Sequence, residues 1–141
     1  MRIGGWKWPA VAGLACCAGA VLATGPAKVP PVAVVADFPV GQWQLREVGS
    51  TQPAKAMCIA DADVLIQLKH PGLQCTRFVI DDSARTATLH YTCPGAGHGR
   101  TTIKLESRKT FHLDTQGVAG GSPFDTGYDA TRIGDCPTAA R

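Results

Sequence analysis

Four cysteines carry the most definite chemistry in this 141-residue sequence, because pairs of thiols can be oxidised to disulfides. The sequence holds six cysteines, of which two fall in an apolar N-terminal run; the other four are Cys58, Cys75, Cys93 and Cys136. An even number of widely spaced cysteines in an exported chain predicts two disulfides. No C-x-x-C pair occurs, so the spacing supports neither a thioredoxin-like redox site nor a zinc site.

The spacing of these cysteines does not determine their disulfide pairing, since four cysteines allow three pairings. The strand order expected below favours Cys58–Cys75, which only a short helix separates, together with Cys93–Cys136. The competing choice is Cys75–Cys93, across a hairpin, together with Cys58–Cys136.

Two histidines on strand-like segments are candidates for a metal site. His90 and His112 are predicted to face solvent on separate strands, with Asp114 or Glu106 as possible carboxylate ligands. A metal site needs three or four convergent ligands, and the sequence offers only the two imidazoles with any assurance. Solvated strand histidines are therefore the favoured interpretation, and no metal or other cofactor is predicted.

The sequence lacks recognisable catalytic motifs. It has no G-x-S-x-G elbow, no H-E-x-x-H helix and no phosphate loop ending in G-K-[ST]. His98 lies in a glycine-rich stretch, but no nucleophile can be placed beside it, and His70 precedes a proline; both are predicted to be surface residues. We therefore expect no catalytic or cofactor-binding residues and a protein that is not an enzyme.

The N-terminus has the layout of a secretory signal peptide over residues 1–23. Arg2 and Lys7 precede an apolar run, and Val21 and Ala23 occupy the small positions of a cleavage site. A retained anchor is the alternative, but the run is interrupted by Gly and Pro and is short against the ~20 apolar residues of a spanning helix. The sequence thus predicts a periplasmic or secreted protein with no membrane span after cleavage.

The charge balance gives no case for binding nucleic acid. The 14 Lys and Arg residues fall to 12 when Arg2 and Lys7 are removed, against 11 Asp and Glu residues, so the net charge becomes about +1. A nearly neutral chain has no electrostatic attraction for nucleic acid or an anionic membrane.

The elements that must position the cysteines read as β-strands. Cys75 to Cys93 alternates polar and apolar residues on either side of a turn at Asp81–Ser83, which is typical of an antiparallel hairpin. Further strands are predicted at 41–48, 55–59, 100–107, 110–114 and 128–136, with loops at 94–99 and 116–127. A helix at Ala62–Leu68, capped by Asp61 or Asp63, would bury Val64, Leu65 and Leu68.

Together these predicted strands and the helix indicate a mainly β domain over residues 41–136, with a six- or seven-stranded antiparallel meander. Its curled sheet carries one short helix and is stapled by two disulfides. A Pro-rich flexible linker is predicted at 24–40 and a tail at 137–141. The predicted core is Trp43, Leu45, Phe78, Ile80, Leu89, Tyr91, Ile103, Leu105, Phe111, Leu113 and Ile133.

The order of these motifs resembles the exported bacterial proteins grouped as domain of unknown function family 3617. The shared pieces are Gly41-x-Trp43, Cys58 before a short acidic-capped helix, Cys75 and Cys93 bounding a hairpin, and a closing Arg132-x-Gly134-Asp135-Cys136. The resemblance spans roughly residues 41–136. It implies an envelope location and a disulfide-stapled β domain, and it implies no activity.

The function expected from these observations is a non-enzymatic binding or interaction module of the periplasm. Its partner would be an envelope protein or a small apolar ligand. The alternatives are an envelope metal-binding or stress protein that uses His90 and His112, and an enzyme with an unrecognised site at His90 or His98.

Overall fold

The structure is a computed structural model that describes residues 4–5 and 32–138. Two helices of one turn each and seven strands follow one another in the described part of the chain. They are α1 (Ala33–Ala36), β1 (Gly41–Glu47), β2 (Lys55–Ile59), α2 (Asp63–Ile66), β3 (Thr76–Asp82), β4 (Thr86–Cys93), β5 (Gly97–Ser107), β6 (Thr110–Ala119) and β7 (Ser122–Gly134).

All seven strands form one unclosed antiparallel sheet in the order β2-β1-β7-β6-β5-β4-β3. Strands β3 to β7 run as a meander of consecutive hairpins. The hairpin of β1 and β2 is added next to β7, so the first strand of the sequence lies beside the last. This confirms the mainly β fold class, with seven strands.

One face of the sheet, called here the covered face, holds the core. Trp43 is fully buried there, as predicted, and its Nε1 donates a hydrogen bond of 3.0 Å to the carbonyl of Pro39. The second helix docks on the same face, where the Thr101 hydroxyl donates a bond of 2.7 Å to the Ile66 carbonyl. That carbonyl ends α2 and would otherwise have no intrahelical partner. The opposite face of the sheet is called the open face.

The segment before β1 is part of the core, which corrects the flexible linker predicted at 24–40. Over residues 32–40 the chain forms α1, and it buries Val32, Val34 and Phe38 against the sheet. The Phe38 ring lies 5.2 Å from that of Trp43, centroid to centroid. The prolines suggested a tether, but the apolar residues between them gain more by covering the sheet than by remaining in water. Residues 24–31 lie outside the described part.

The strands β6 and β7 extend through most of the predicted loop at 116–127, so that prediction is wrong. Gly120 and Gly121, with φ of 55° and 81°, form the two-residue turn between Ala119 and Ser122. The other two glycines of this stretch, Gly117 and Gly127, lie within β6 and β7. A Cβ on Gly117 would stand 2.1 Å from the His98 carbonyl oxygen, so glycine is needed for close approach of β5 and β6.

Most of the predicted core is buried, but four predicted positions are exposed. Phe78, Ile80 and Ile133 lie on strands, yet their side chains are 68%, 48% and 54% exposed. Val64 on α2 is 42% exposed, whereas Leu65 is buried as predicted and Ile66 is buried as well. The N-cap residue of α2 is Ala62, without a side-chain cap, so neither Asp61 nor Asp63 has the predicted position; Asp61, one residue earlier, accepts the Asp63 N–H at 2.9 Å.

The described residues include no helix of the length and apolar character that spanning a bilayer requires. The predicted signal peptide at 1–23 falls outside the described residues apart from Gly4 and Gly5. Of the predicted tail, Pro137 and Thr138 are described; both are exposed and outside regular secondary structure.

Candidate functional site

The disulfides are Cys58–Cys136 and Cys75–Cys93, so the favoured pairing of Cys58 with Cys75 and of Cys93 with Cys136 is wrong. The reason is the strand order. Thr76 pairs with Thr92 in the hairpin of β3 and β4, which brings Cys75 opposite Cys93. Cys58 on β2 is carried to the far end of the sheet, where the chain leaving β7 reaches it across β1.

His70 is buried, which corrects its predicted surface position. It is 3% exposed, its Nε2 lies 3.3 Å from the carbonyl of Ala96, and its Nδ1 lies 3.1 Å from the Tyr91 hydroxyl. A carbonyl only accepts, so in the neutral ring Nε2 carries the proton and Nδ1 accepts from Tyr91. Burial raises the pKa of Tyr91, which keeps this donor protonated. These contacts hold the loop after α2 onto the sheet.

His112 lies on the open face between two carboxylates. Its Nδ1 is 2.7 Å from Asp129 Oδ1, and its Nε2 is 3.2 Å from Asp114 Oδ2. The hydrogen bond to Asp129 is the main cause that raises the pKa of His112; partial burial opposes it, and Asp114 adds to it. The arrangement favours the imidazolium form, in which both nitrogens donate protons and neither is free to bind a metal.

The structure does not bring His90 and His112 together. In the strand register His90 faces Arg100 on β5, whereas His112 faces Lys104, four residues further along that strand. The ring of His90 lies instead 5.9 Å from that of His98, which is exposed. Within residues 4–5 and 32–138, no group of three or more His, Cys, Asp or Glu side chains is arranged to hold a metal ion.

Most of the remaining polar residues of the open face are solvated, whereas Thr88 is buried. Thr88 and Thr102 face each other across β4 and β5 with hydroxyl oxygens 3.0 Å apart. Other polar and charged residues in this region are exposed or partly exposed; they are Thr86, Thr92, Arg100, Lys104, Glu106, Arg108 and Lys109. Nothing in this arrangement resembles a nucleophile with its base.

The strongest candidate for a functional surface is β3, an end strand of the sheet. All seven of its residues are exposed, and Phe78, Val79 and Ile80 are consecutive. Val79 is paired with the buried Leu89 and so faces the covered side, whereas Phe78 is paired with His90 and faces the open side. A register shift after Val79 interrupts the alternation, which gives the strand a bulge near Ile80.

A groove runs along β3 on the covered face. It has a volume of ≈ 1040 Å³ and lies between α1, α2 and the strand, with an apolar lining that includes Val35, Leu73 and Val79. Arg77 crosses one end of it, where it forms an ion pair of 3.0 Å with Asp63 and donates a hydrogen bond to Gln67. The groove therefore lies beside an unpaired backbone edge and combines apolar walls with polar residues that include Asp61, Asp63 and Arg77.

A second concavity lies at the other end of the covered face and is called here the Tyr128 pocket. Its volume is ≈ 520 Å³. Its lining consists of the apolar residues Leu45, Pro53, Ala56, Met57, Leu68 and Tyr128 together with the polar residues Glu47, Gln52 and Lys55.

Sequence reasoning missed both surfaces. It treated Phe78 and Ile80 as core because β3 alternates, and it treated Leu45 only as a core residue. A signal was present for β3, since three consecutive apolar residues conflict with strict alternation and leave one of them on the solvent side. No signal in the sequence marked the Tyr128 pocket, because its walls come from four separate stretches of the chain.

The fold and its bridges define a class of protein, a single antiparallel β sheet with one covered face and two disulfides. Within that class, the chain belongs to the family described as Protein of unknown function (DUF3617), whose model matches residues 35–136. This confirms the family resemblance drawn from Gly41 to Cys136, and it includes most of the segment that precedes β1. No curated protein and no solved structure matches the chain.

Proposed function

We propose that this chain is an exported, non-enzymatic interaction module that binds an extended segment of a partner protein alongside β3. The observation that carries the proposal is that β3 is a sheet edge whose seven residues are all exposed, with Phe78, Val79 and Ile80 in succession. An edge strand presents unpaired N–H and C=O groups, which an added strand satisfies.

The two ends of the sheet differ in a way that favours β3 as the binding edge. The strand at the other end, β2, has five residues, begins with Lys55, and is bridged through Cys58 to Cys136. Short length and a lysine are features that protect edges against pairing. Over Thr76–Val79 the one charged residue of β3 is Arg77, whose side chain is held in an ion pair with Asp63, and the bulge lies beyond Val79.

The groove beside β3 supplies side-chain recognition. An added strand directs alternate residues to the two faces of the sheet. Residues on the covered side would meet the apolar lining near Val35 and Leu73, and residues on the open side would meet Phe78. Asp81 is exposed and forms no ion pair within the described part of the chain. The partner segment that fits is therefore extended and apolar, with a basic residue near Asp81.

Export and the absence of enzymatic activity complete the proposal. Two disulfides fit an oxidising compartment, where such bonds form and persist, and the sequence supplies a candidate leader at 1–23. Two of the four histidines form structural contacts, His70 with Tyr91 and His112 with Asp129. These features support a binding role over catalysis.

The test places a photocrosslinking phenylalanine derivative at Phe78 or, as the matched control, at Ile133. Both positions are exposed apolar residues on strands, but Ile133 lies on β7, inside the sheet. We expect a single crosslinked product of defined mass from position 78 in the envelope of the source cells and none from 133. Equal crosslinking at both positions, or none at 78, would contradict binding at β3.

A second measurement separates a partner protein from a second copy of the chain. A product of twice the chain mass would show edge-to-edge pairing of two copies and would overturn the assignment of a different partner. With the partner purified, hydrogen exchange should slow for the amides of Thr76–Val79 on binding, and Val79→Lys should abolish that protection.

A further inference from the structure

The Tyr128 pocket lies at the opposite end of the sheet from β3 and is independent of the proposed partner site. Leu45, on β1, lies directly opposite Lys55 in the strand register, and Glu47 lies opposite Tyr128. These pairs put apolar and charged side chains on the same stretch of the covered face, beyond the end of α2. The pocket is therefore a concavity of the folded sheet, with polar groups on its walls.

The floor of the pocket is suited to an apolar body. Leu45 is buried, and Met57, Leu68 and Tyr128 are partly buried and packed against the core. The volume of ≈ 520 Å³ lies within the range of about 300–1,000 Å³ of small-molecule sites. An aliphatic chain that covered these residues would remove apolar surface of both molecules from water, which is favourable.

The charges around the floor favour an anion over a cation. Lys55 lines the pocket, and the Nζ of Lys69 lies 5.5 Å from the centre of the Tyr128 ring. Neither lysine forms an ion pair with any residue in the described ranges. Within the lining, the one cation Lys55 therefore stands against the one carboxylate Glu47, and Lys69 adds a second positive charge beside the Tyr128 ring, outside the lining.

We propose that the Tyr128 pocket binds an aliphatic carboxylate, whose chain lies on Leu45, Met57, Leu68 and Tyr128 and whose head group pairs with Lys55. The head remains at the rim, where water still solvates part of its charge and the desolvation cost is small. The apolar chain supplies affinity, and the lysine selects the sign of the head group.

The experiment compares three probes with the same chain and different head groups, namely decanoate, decanol and decylamine, each below its micelle concentration. Binding to the oxidised mature protein is measured by calorimetry, and the site is located from NMR shifts of labelled methionine and tyrosine. We expect decanoate to bind most tightly and decylamine most weakly, with shifts at Met57 and Tyr128. Equal or tighter binding of decylamine, or no binding of any probe, would overturn the proposal.

Charge variants test the head-group contact while the chain contact stays constant. Lys55→Gln should weaken the binding of decanoate about 2- to 5-fold, which is the effect of one solvent-exposed ion pair. The affinity for decanol should not change. Glu47→Gln should strengthen the binding of decanoate by a similar factor. The matched control is Lys104→Gln on the open face, which should change the affinity for neither probe. The assignment would be contradicted if Lys55→Gln lost affinity for decanol and decanoate equally. NMR shifts confined to residues of the β3 groove would also contradict it.

Discussion

The hydroxyl of Tyr91 and Nδ1 of His70 lie 3.1 Å apart in the interior of the domain, where both side chains are buried. Tyr91 belongs to β4, and His70 belongs to the segment that follows α2. This contact, with that of His70 to the Ala96 carbonyl, joins the covering segment to the middle of the sheet. The same segment forms one wall of the groove beside β3, so the contact supports the candidate site.

Removal of the Tyr91 hydroxyl should destabilise the domain. In Tyr91→Phe the Nδ1 of His70 remains buried and loses its donor, which costs about 1–3 kcal/mol in the free energy of unfolding. Urea unfolding of the oxidised protein measures this. The control is Tyr128→Phe, whose hydroxyl has no hydrogen bond within the described part of the chain and whose loss should change stability by less than ~0.5 kcal/mol. Equal effects of the two variants would contradict the contact.

Gly99 should not tolerate a methyl group. Gly99 lies beside Tyr91 on β5, and a Cβ there would stand 2.5 Å from the Tyr91 hydroxyl oxygen. Because Tyr91 is fully buried and held by His70, its ring cannot move aside, and Gly99→Ala should cost about 1–3 kcal/mol.

The matched control for Gly99 is Gly127, another strand glycine without a positive φ. A Cβ on Gly127 would meet the carboxylate of Asp114 at 3.1 Å, the end of an exposed side chain that can shift. Gly127→Ala should therefore change the urea midpoint little. A loss of stability in Gly127→Ala as large as that in Gly99→Ala would show that strand glycines are required here for another reason.

The strands were predictable from alternation, but the side to which β3 faces was not. Trp43, Leu89 and Phe111 follow a period of two, and the structure buries all three. In β3 the same period placed Phe78 inward, whereas pairing with β4 sets Val79 opposite Leu89 and turns Phe78 outward. A slip of one residue exchanges the two faces of a strand, and the local sequence of an end strand does not fix that choice.

The disulfide pairing was unpredictable for a related reason. It depends on which strands are neighbours, and the pairing of β1 with β7 follows from packing of Trp43 and Phe111, whose rings lie 4.9 Å apart, and not from any local signal. The Tyr128 pocket depends on the same long-range arrangement. Short-range patterns thus predicted the elements, and contacts distant in sequence determined the candidate sites.

Trypsin digestion of the unreduced protein tests the disulfide pairing. Cleavage after Lys and Arg puts each of the four disulfide cysteines in its own peptide, namely 56–69, 70–77, 86–100 and 133–141. Mass spectrometry should find 56–69 joined to 133–141, and 70–77 joined to 86–100. A link between 56–69 and 70–77 would restore the pairing that the sequence favoured.

The two bridges should also differ in their effect on stability. Cys58–Cys136 spans 78 residues and Cys75–Cys93 spans 18. A longer loop restricts the unfolded chain more, so the double variant Cys58→Ala/Cys136→Ala should lose about 1 kcal/mol more than Cys75→Ala/Cys93→Ala. Urea unfolding of the two variants provides the comparison. A larger loss from the short bridge would show that native packing around Cys93, which is buried, outweighs loop entropy.

His112 should make the stability of the domain depend on pH. The hydrogen bond to Asp129, with the smaller contribution of Asp114, raises the pKa of His112 above its ordinary 6.5. The folded protein therefore binds a proton more tightly at this site than the unfolded chain does. The resulting stabilisation is fully present below pH ~6.5 and is lost as the pH rises through the folded-state pKa.

Two asparagine variants test this dependence and rank its causes. Asp129→Asn removes the partner at 2.7 Å and Asp114→Asn the partner at 3.2 Å, so the NMR-measured pKa of His112 should fall more in the first. The difference in unfolding free energy between wild type and Asp129→Asn should be largest in acid and shrink above neutrality. Lys104, which faces His112 from β5, is unchanged in both variants and cannot produce the difference. A larger fall in pKa for Asp114→Asn, or a stability difference that grows with pH, would contradict the assignment of Asp129 as the dominant partner.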